Sequence, residues 1–165
     1  MRKLFLGLLM CVVLVPCWGQ NYQLHSVYMY SFIKYVQWPS EIGPEFVIGV
    51  YGDSPILEHL KKMTSLKKAG HGPIVIKNVG NLESSKGLNI RFISSEESDQ
   101  LDEIIGHIGG SHTLIISEGE GKGAEGSHIN FVERGGKLAF ELNKAAMERE
   151  NLKVSSELTR LAIII

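Results

Sequence analysis

Apolar positions recur along this chain with two different periods. Leu24, Tyr28, Phe32 and Tyr35 follow the three-to-four spacing of one helical face. They predict a helix over residues 21–36, with Gln23, His25 and Lys34 elsewhere on the wheel. Pro39 disfavours a helical Trp38, so the helix should end near Gln37. Residues 46–51 are almost continuously apolar, as in a strand covered on both faces. Ser54 is placed to cap a second helix, and Pro55 suits its first position. That helix should run to about Lys67, where residues 69–73 break it. Strands are predicted over 74–79, 88–93 and 113–117. A helix over 96–108 is capped by Ser94 or Ser95, with Glu96 and Glu97 at its positive end. Residues 118–126 form a Gly-rich loop. Strands over 128–132 and 137–142 flank residues 133–136, whose Gly135 and Gly136 signal a hairpin. Asn143 and Ser155 then cap two short helices, with Glu157 in the first turn of the second.

Strands alternating with helices, joined by right-handed crossovers, give a largely parallel sheet. The fold class is therefore α/β: a single three-layer domain, helices on both faces of a mixed, mostly parallel sheet, ending in an antiparallel hairpin.

The first residues read differently. Arg2 and Lys3 precede an apolar run over 4–15, about the length of a secretion-signal core and short of the roughly 20 residues that span a bilayer. Cys17 and Gly19 supply small residues at the cleavage spacing, so residues 1–19 read as a signal peptide and 20–165 as one domain. Lipid anchoring at Cys17 is the rival reading, with Pro16 an unusual neighbour for it. Cys11 and Cys17 are the only cysteines, so the mature chain has no disulfide and no thiol chemistry. Residues 161–165 are apolar but short, and read as a docked helix end. Removing Arg2 and Lys3 changes the formal charge from −1 to −3. No basic cluster stands out, which argues against a nucleic-acid partner.

Candidate chemistry is sparse. Gly121, Gly123 and Gly126 match G-x-G-x-x-G, and Glu141 lies near the spacing of a ribose ligand. A dinucleotide site needs those glycines to open a helix, whereas residues 127–132 read as strand, and Glu118, Glu120 and Glu125 repel phosphate. The loop therefore reads as surface, and no cofactor is expected. His25, His59, His71, His107, His112 and His128 form no metal-binding spacing. Gly110, Ser111 and His112 place serine beside histidine without a nucleophile elbow, so no catalytic residue is assigned. Trp38 either packs at the domain edge or anchors an interface. Glu141 alternates away from Phe140 and is free to bond a neighbouring element or a ligand.

Several segments share an order and spacing. They are the aromatic helix from Tyr28 to Pro39, the strand ending at Gly52 and Asp53, and the pieces Gly70–Ile76 and Ile90–Ser94. The last block runs from Gly135 through Asn143, Ala145, Ala146, Leu152, Val154 and Leu158 to Ala162. Together they resemble the YfiR-like family of secreted bacterial regulators. The resemblance implies a periplasmic α/β domain, commonly dimeric, without known enzymatic activity. The best-known member represses a membrane-bound diguanylate cyclase and so lowers cyclic-di-GMP and biofilm formation. That member carries redox-sensitive cysteines, which the mature chain here lacks, so redox control does not transfer.

The expected function is a secreted, non-catalytic regulator of a membrane-bound cyclase or sensor kinase, as a monomer or homodimer. Tyr35, Trp38, Lys137 and Glu141 are its candidate partner or ligand surface. The alternative is a sensor of a small envelope molecule or cell-wall fragment, bound beyond the carboxyl ends of the strands near Gly52, Asp53, Ser94, Ser95, Ser117 and Glu118. A secreted hydrolase ranks last.

Overall fold

A computed structural model describes residues 22–39, 43–70, 72–81 and 87–165. Residues 1–19, read above as a signal peptide, and His71 lie outside the described residues. Helix α1 (Tyr22–Tyr35) leads into a two-residue strand β1 (Val36–Gln37). Strand β2 (Phe46–Tyr51), helix α2 (Ile56–Thr64), the short β3 (Lys68–Ala69) and β4 (Gly72–Val79) follow. Strand β5 (Ile90–Ile93) precedes a 3₁₀ segment (Ser95–Gln100) that continues as α3 (Leu101–Ile108). Then come β6 (Leu114–Glu118), β7 (Ile129–Arg134), β8 (Lys137–Leu142), α4 (Lys144–Arg149), β9 (Lys153–Val154), α5 (Ser156–Leu161) and β10 (Ile163–Ile164).

Eight strands form one sheet in the order β10-β8-β7-β6-β5-β2-β4-β3. The five strands β4, β2, β5, β6 and β7 are parallel. Numbered in chain order among themselves, they stand 2-1-3-4-5, with the order reversing between β2 and β5. The α/β architecture is as the hydrophobic pattern predicts.

The pleat sorts side chains onto two faces. Ile48, Val50, Ile90, Phe92, Leu114 and Ile116 meet α1 and α2 through Met29, Phe32, Ile56 and Leu60. Val47, Tyr51, Ile93 and Ile115 meet α3 through Leu101, Ile104 and Ile108. An aromatic cluster seats α1 across the hairpin: Phe32 lies edge-on to Phe140 at 5.1 Å, and Tyr28 edge-on to Phe140 at 5.5 Å. The hairpin turns on Gly135 and Gly136, at φ +57° and +73°, in the left-handed region that favours glycine.

Capping follows the sequence. The Asn143 side chain accepts from the Ala146 amide at 2.9 Å, and Ser155 Oγ from the Leu158 amide at 3.2 Å. Ser54 Oγ accepts only a long bond, 3.4 Å, from Ile56, and Ser94 makes no cap bond at all.

Four expectations are corrected. The buried stripe of α1 is His25, Met29, Phe32 and Ile33, one position round from the predicted face, and Leu24 is 43% exposed. A polar His25 reads as surface until the carboxylate that meets it is known. Helix α1 ends two residues early, because Val36 and Gln37 pair with Val154 and Lys153 of β9. Helix α2 stops at Thr64, and Lys68 and Ala69 pair with Pro73 and Gly72 instead. The terminal apolar run is not a helix end: β10 lies parallel beside β8, and the Ile165 amide bonds the Leu142 carbonyl.

Candidate functional site

Polar side chains gather where the parallel strands end. Glu118 closes β6, is buried, and projects to the α1 side of the sheet. Its Oε1 accepts from the Tyr22 hydroxyl at 3.1 Å and from the Ser95 amide at 3.2 Å. Its Oε2 accepts no hydrogen bond among the described residues, and His25 Nε2 stands 3.6 Å away. Burial raises the Glu118 pKa, partly opposed by the Ser95 and Tyr22 bonds. Burial, then the nearby Glu118 charge, pushes the Tyr22 phenol up to about 12. The rings follow in series: Tyr22 tilted against His25 at 5.1 Å, then His25 edge-on to Phe131 at 4.4 Å.

Ser54 and Ser94 join this group from the β2 and β5 ends. Both are buried, and the Ser94 hydroxyl has no hydrogen-bond partner among the described residues. A methyl placed on Gly52 would lie 3.2 Å from Ser94 Oγ and 2.5 Å from Glu97 Cγ, so that hydroxyl faces the β2–α2 turn. Asp53 is exposed at the rim. The residues expected beyond the strand ends thus stand together, with Ser117 turned to the opposite face.

On that face a second polar stack forms. Ser117 Oγ donates to Asn130 Oδ1 at 3.0 Å, and Asn130 Nδ2 donates to the Gly119 carbonyl at 2.8 Å and to Glu141 Oε2 at 2.9 Å. Arg134 Nη2 donates to Glu141 Oε1 at 3.3 Å. Glu141 thereby bonds neighbouring elements. The Gly-rich segment packs over this stack: Asn143 donates to the Gly123 carbonyl, and Lys122 pairs with Glu125 at 2.7 Å. It opens no helix and leads into β7, so the G-x-G-x-x-G match lacks the geometry of a pyrophosphate site.

Tyr35 and Trp38 sit at the other end of α1. Trp38 is half-buried and edge-on to Phe46 at 5.2 Å, and its indole nitrogen has no hydrogen-bond partner among the described residues. Lys34 Nζ lies 5.3 Å over the Tyr35 ring, and the Tyr35 carbonyl accepts from Ser155. Lys137 is exposed at the hairpin tip, beyond the opposite end of the sheet. The 14 residues of α1 separate the two groups by about 21 Å, so they do not form one cluster. Among the other histidines, His128 is buried with Nδ1 accepting from the Ile115 amide at 2.8 Å. His112 Nδ1 lies 2.8 Å from the Glu150 carbonyl. Among the described residues, no group of His, Cys, Asp and Glu is placed to hold a metal, and no helix is long and apolar enough to cross a membrane.

The family described as YfiR/HmsC-like matches residues 22–163. The chain belongs to this family. The match runs from α1 to the first residue of β10, so the polar groups of both stacks and the Tyr35–Trp38 corner lie within it. Comparison with curated proteins gave no match. The YfiR/HmsC-like family is one of regulators rather than of known enzymes.

Tyr22, His25 and Asn130 escape a reading of the sequence. Tyr22 and His25 precede every strand they touch, and 96 residues separate Tyr22 from Glu118. Asn130 carried a usable signal, a lone amide within an apolar strand, which must find partners when buried.

Proposed function

We propose that this protein is a secreted, non-catalytic regulator that binds the extracytoplasmic region of a membrane signalling protein, a diguanylate cyclase or similar sensor, and modulates its output. Membership of the YfiR/HmsC-like family across residues 22–163 carries this reading. A binding protein alters its partner's output by its differential affinity for the partner's two states. The contact surface in this reading has two separate parts, the Tyr35–Trp38 corner and, at the other end of α1, Lys137 at the hairpin tip with Glu141 supporting the hairpin beneath it, so one partner has to span both. Trp38 offers a half-exposed ring, and large aromatic side chains at the rim of a domain are the residues that most often anchor interfaces.

The test is capture of a membrane sensor from solubilised envelopes by residues 20–165, read by mass spectrometry, with Trp38→Ala and Lys137→Glu alongside. One enriched sensor, lost with either variant while circular dichroism is unchanged, is the expected result. A blank with folded wild-type protein overturns the reading. If Trp38→Ala unfolds the domain, Lys137→Glu at the exposed tip decides the surface.

A further inference from the structure

In an open sheet of order 2-1-3-4-5, ligands bind beyond the carboxyl ends of the strands where the order reverses. Here that point lies between β2 and β5, at the Gly52–Ser54 turn and at Ser94 and Ser95, with Glu118 of β6 beside them. Two independent features mark the place as more than a strand terminus. Ser94 Oγ and Glu118 Oε2 are buried polar atoms without hydrogen bonds among the described residues. Leaving such an atom unmet is costly, so a fold that keeps two together calls for a reason.

The side chains that converge here carry more negative than positive charge. They are the Glu118 carboxylate and the Ser54 and Ser94 hydroxyl oxygens, with the charge of Glu96 acting on both Glu118 and Tyr22. Glu97 packs on the Gly52 turn and Asp53 stands at the rim. The facing donors are the Tyr22 hydroxyl, the Ser95 amide and the His25 ring. An acidic lining repels the phosphates that sheets of this order often hold, and favours an ammonium group, whose three N–H donors match several acceptors.

The space is occupied from within. The Tyr22 phenol bonds Glu118, with Ser54 beside it, and its ring is half-exposed. Tyr22 opens α1, whose first turn carries no acidic residue to stabilise it. A first turn is the part of a helix that opens most readily.

We propose that the crevice between the β2 and β5 ends is a binding site for a small aromatic amine, whose ammonium group is held by Glu118 and Ser94 and whose ring takes the place of the Tyr22 side chain. Tyr22 is the resident occupant, and ligand entry displaces it. This site is separate from the Tyr35–Trp38 corner and its test involves no partner protein, so it stands or falls without the partner reading.

Tyramine and uncharged 4-ethylphenol are the probes, titrated by calorimetry into wild type, Tyr22→Ala, Glu118→Gln and Ser94→Ala, each checked for fold by circular dichroism. Tyramine should bind Tyr22→Ala at least tenfold more tightly than wild type, because the competing ring is gone. It should lose at least tenfold on adding Glu118→Gln to that variant, with 4-ethylphenol weak throughout. If Glu118→Gln unfolds the chain, Ser94→Ala, which removes a hydroxyl that bonds nothing described, should weaken tyramine several-fold. No saturable tyramine binding to folded Tyr22→Ala at millimolar concentration overturns the proposal. Equal binding of both probes overturns the amine, leaving a filled hole only.

Discussion

Acid should destabilise this domain through one buried imidazole. His128 lies between β6 and β7, and its Nδ1 accepts from the Ile115 amide at 2.8 Å. The second proton of an imidazolium would have to sit on that nitrogen and break the bond. Burial is the main cause that lowers its pKa to about 4, with Arg149 adding in the same direction and Glu150 opposing. The unfolded chain takes up the proton near pH 6.5 and the folded chain resists it. Stability is therefore full above about pH 6.5 and is lost as pH falls through the interval down to about 4. At 1.36 kcal/mol per unit, the loss reaches about 2 kcal/mol at pH 5 and about 3 kcal/mol at pH 4. Urea unfolding followed at pH 7.5, 6.5, 5.5 and 5.0 should show the midpoint falling by about 1 M over that range, for a slope near 2 kcal/mol/M. Glu118, with its raised pKa, contributes the opposite sign, gaining stability as pH falls, so a control is needed. His128→Asn supplies it, because the amide oxygen can replace Nδ1 as acceptor and does not titrate. The difference between wild type and His128→Asn should carry the loss assigned here to His128. Parallel pH profiles for the two proteins would refute the argument.

Three further outcomes are expected. Phe140→Ala, which vacates the seat of Phe32 and Tyr28, should lower unfolding free energy by about 3–5 kcal/mol in urea titration. Asn143→Ala removes both the bond from the Ala146 amide and the donor to Gly123, and should lower the same quantity by about 1–2 kcal/mol, while Asn143→Asp should keep the cap. Gly136→Ala forces a Cβ into φ +73° and should destabilise by about 1–2 kcal/mol, with Gly136→Asn milder, both measured by thermal melting.

Local rules made most of the fold legible. The apolar run at Phe46–Tyr51, the paired glycines of the hairpin and the caps at Asn143 and Ser155 each depend on neighbours within a few residues. The two-residue strands did not announce themselves. Val36 and Gln37 pair only because Lys153 and Val154 arrive alongside, and no period shows in so short a segment. The face of α1 was misread for the same reason, since the group that makes His25 welcome inside is Glu118, in another element. The strand ends near Gly52, Ser94 and Glu118 were expected to share an edge because parallel topology brings successive carboxyl ends to one side. That topology gave no hint that Tyr22 would fill the space among them.

The seat of α1 also bears on the order of events at the ribosome. Helix α1 is the first described element to be synthesised, yet the rings that receive it, Phe131 and Phe140, come about a hundred residues later. At 5–20 residues per second, Tyr28 and Phe32 wait roughly 5–20 s for those rings. Throughout that interval the nascent chain can pack α1 only on the β2 and α2 residues made soon after it, and the rest of its apolar stripe is a natural grip for a holding chaperone.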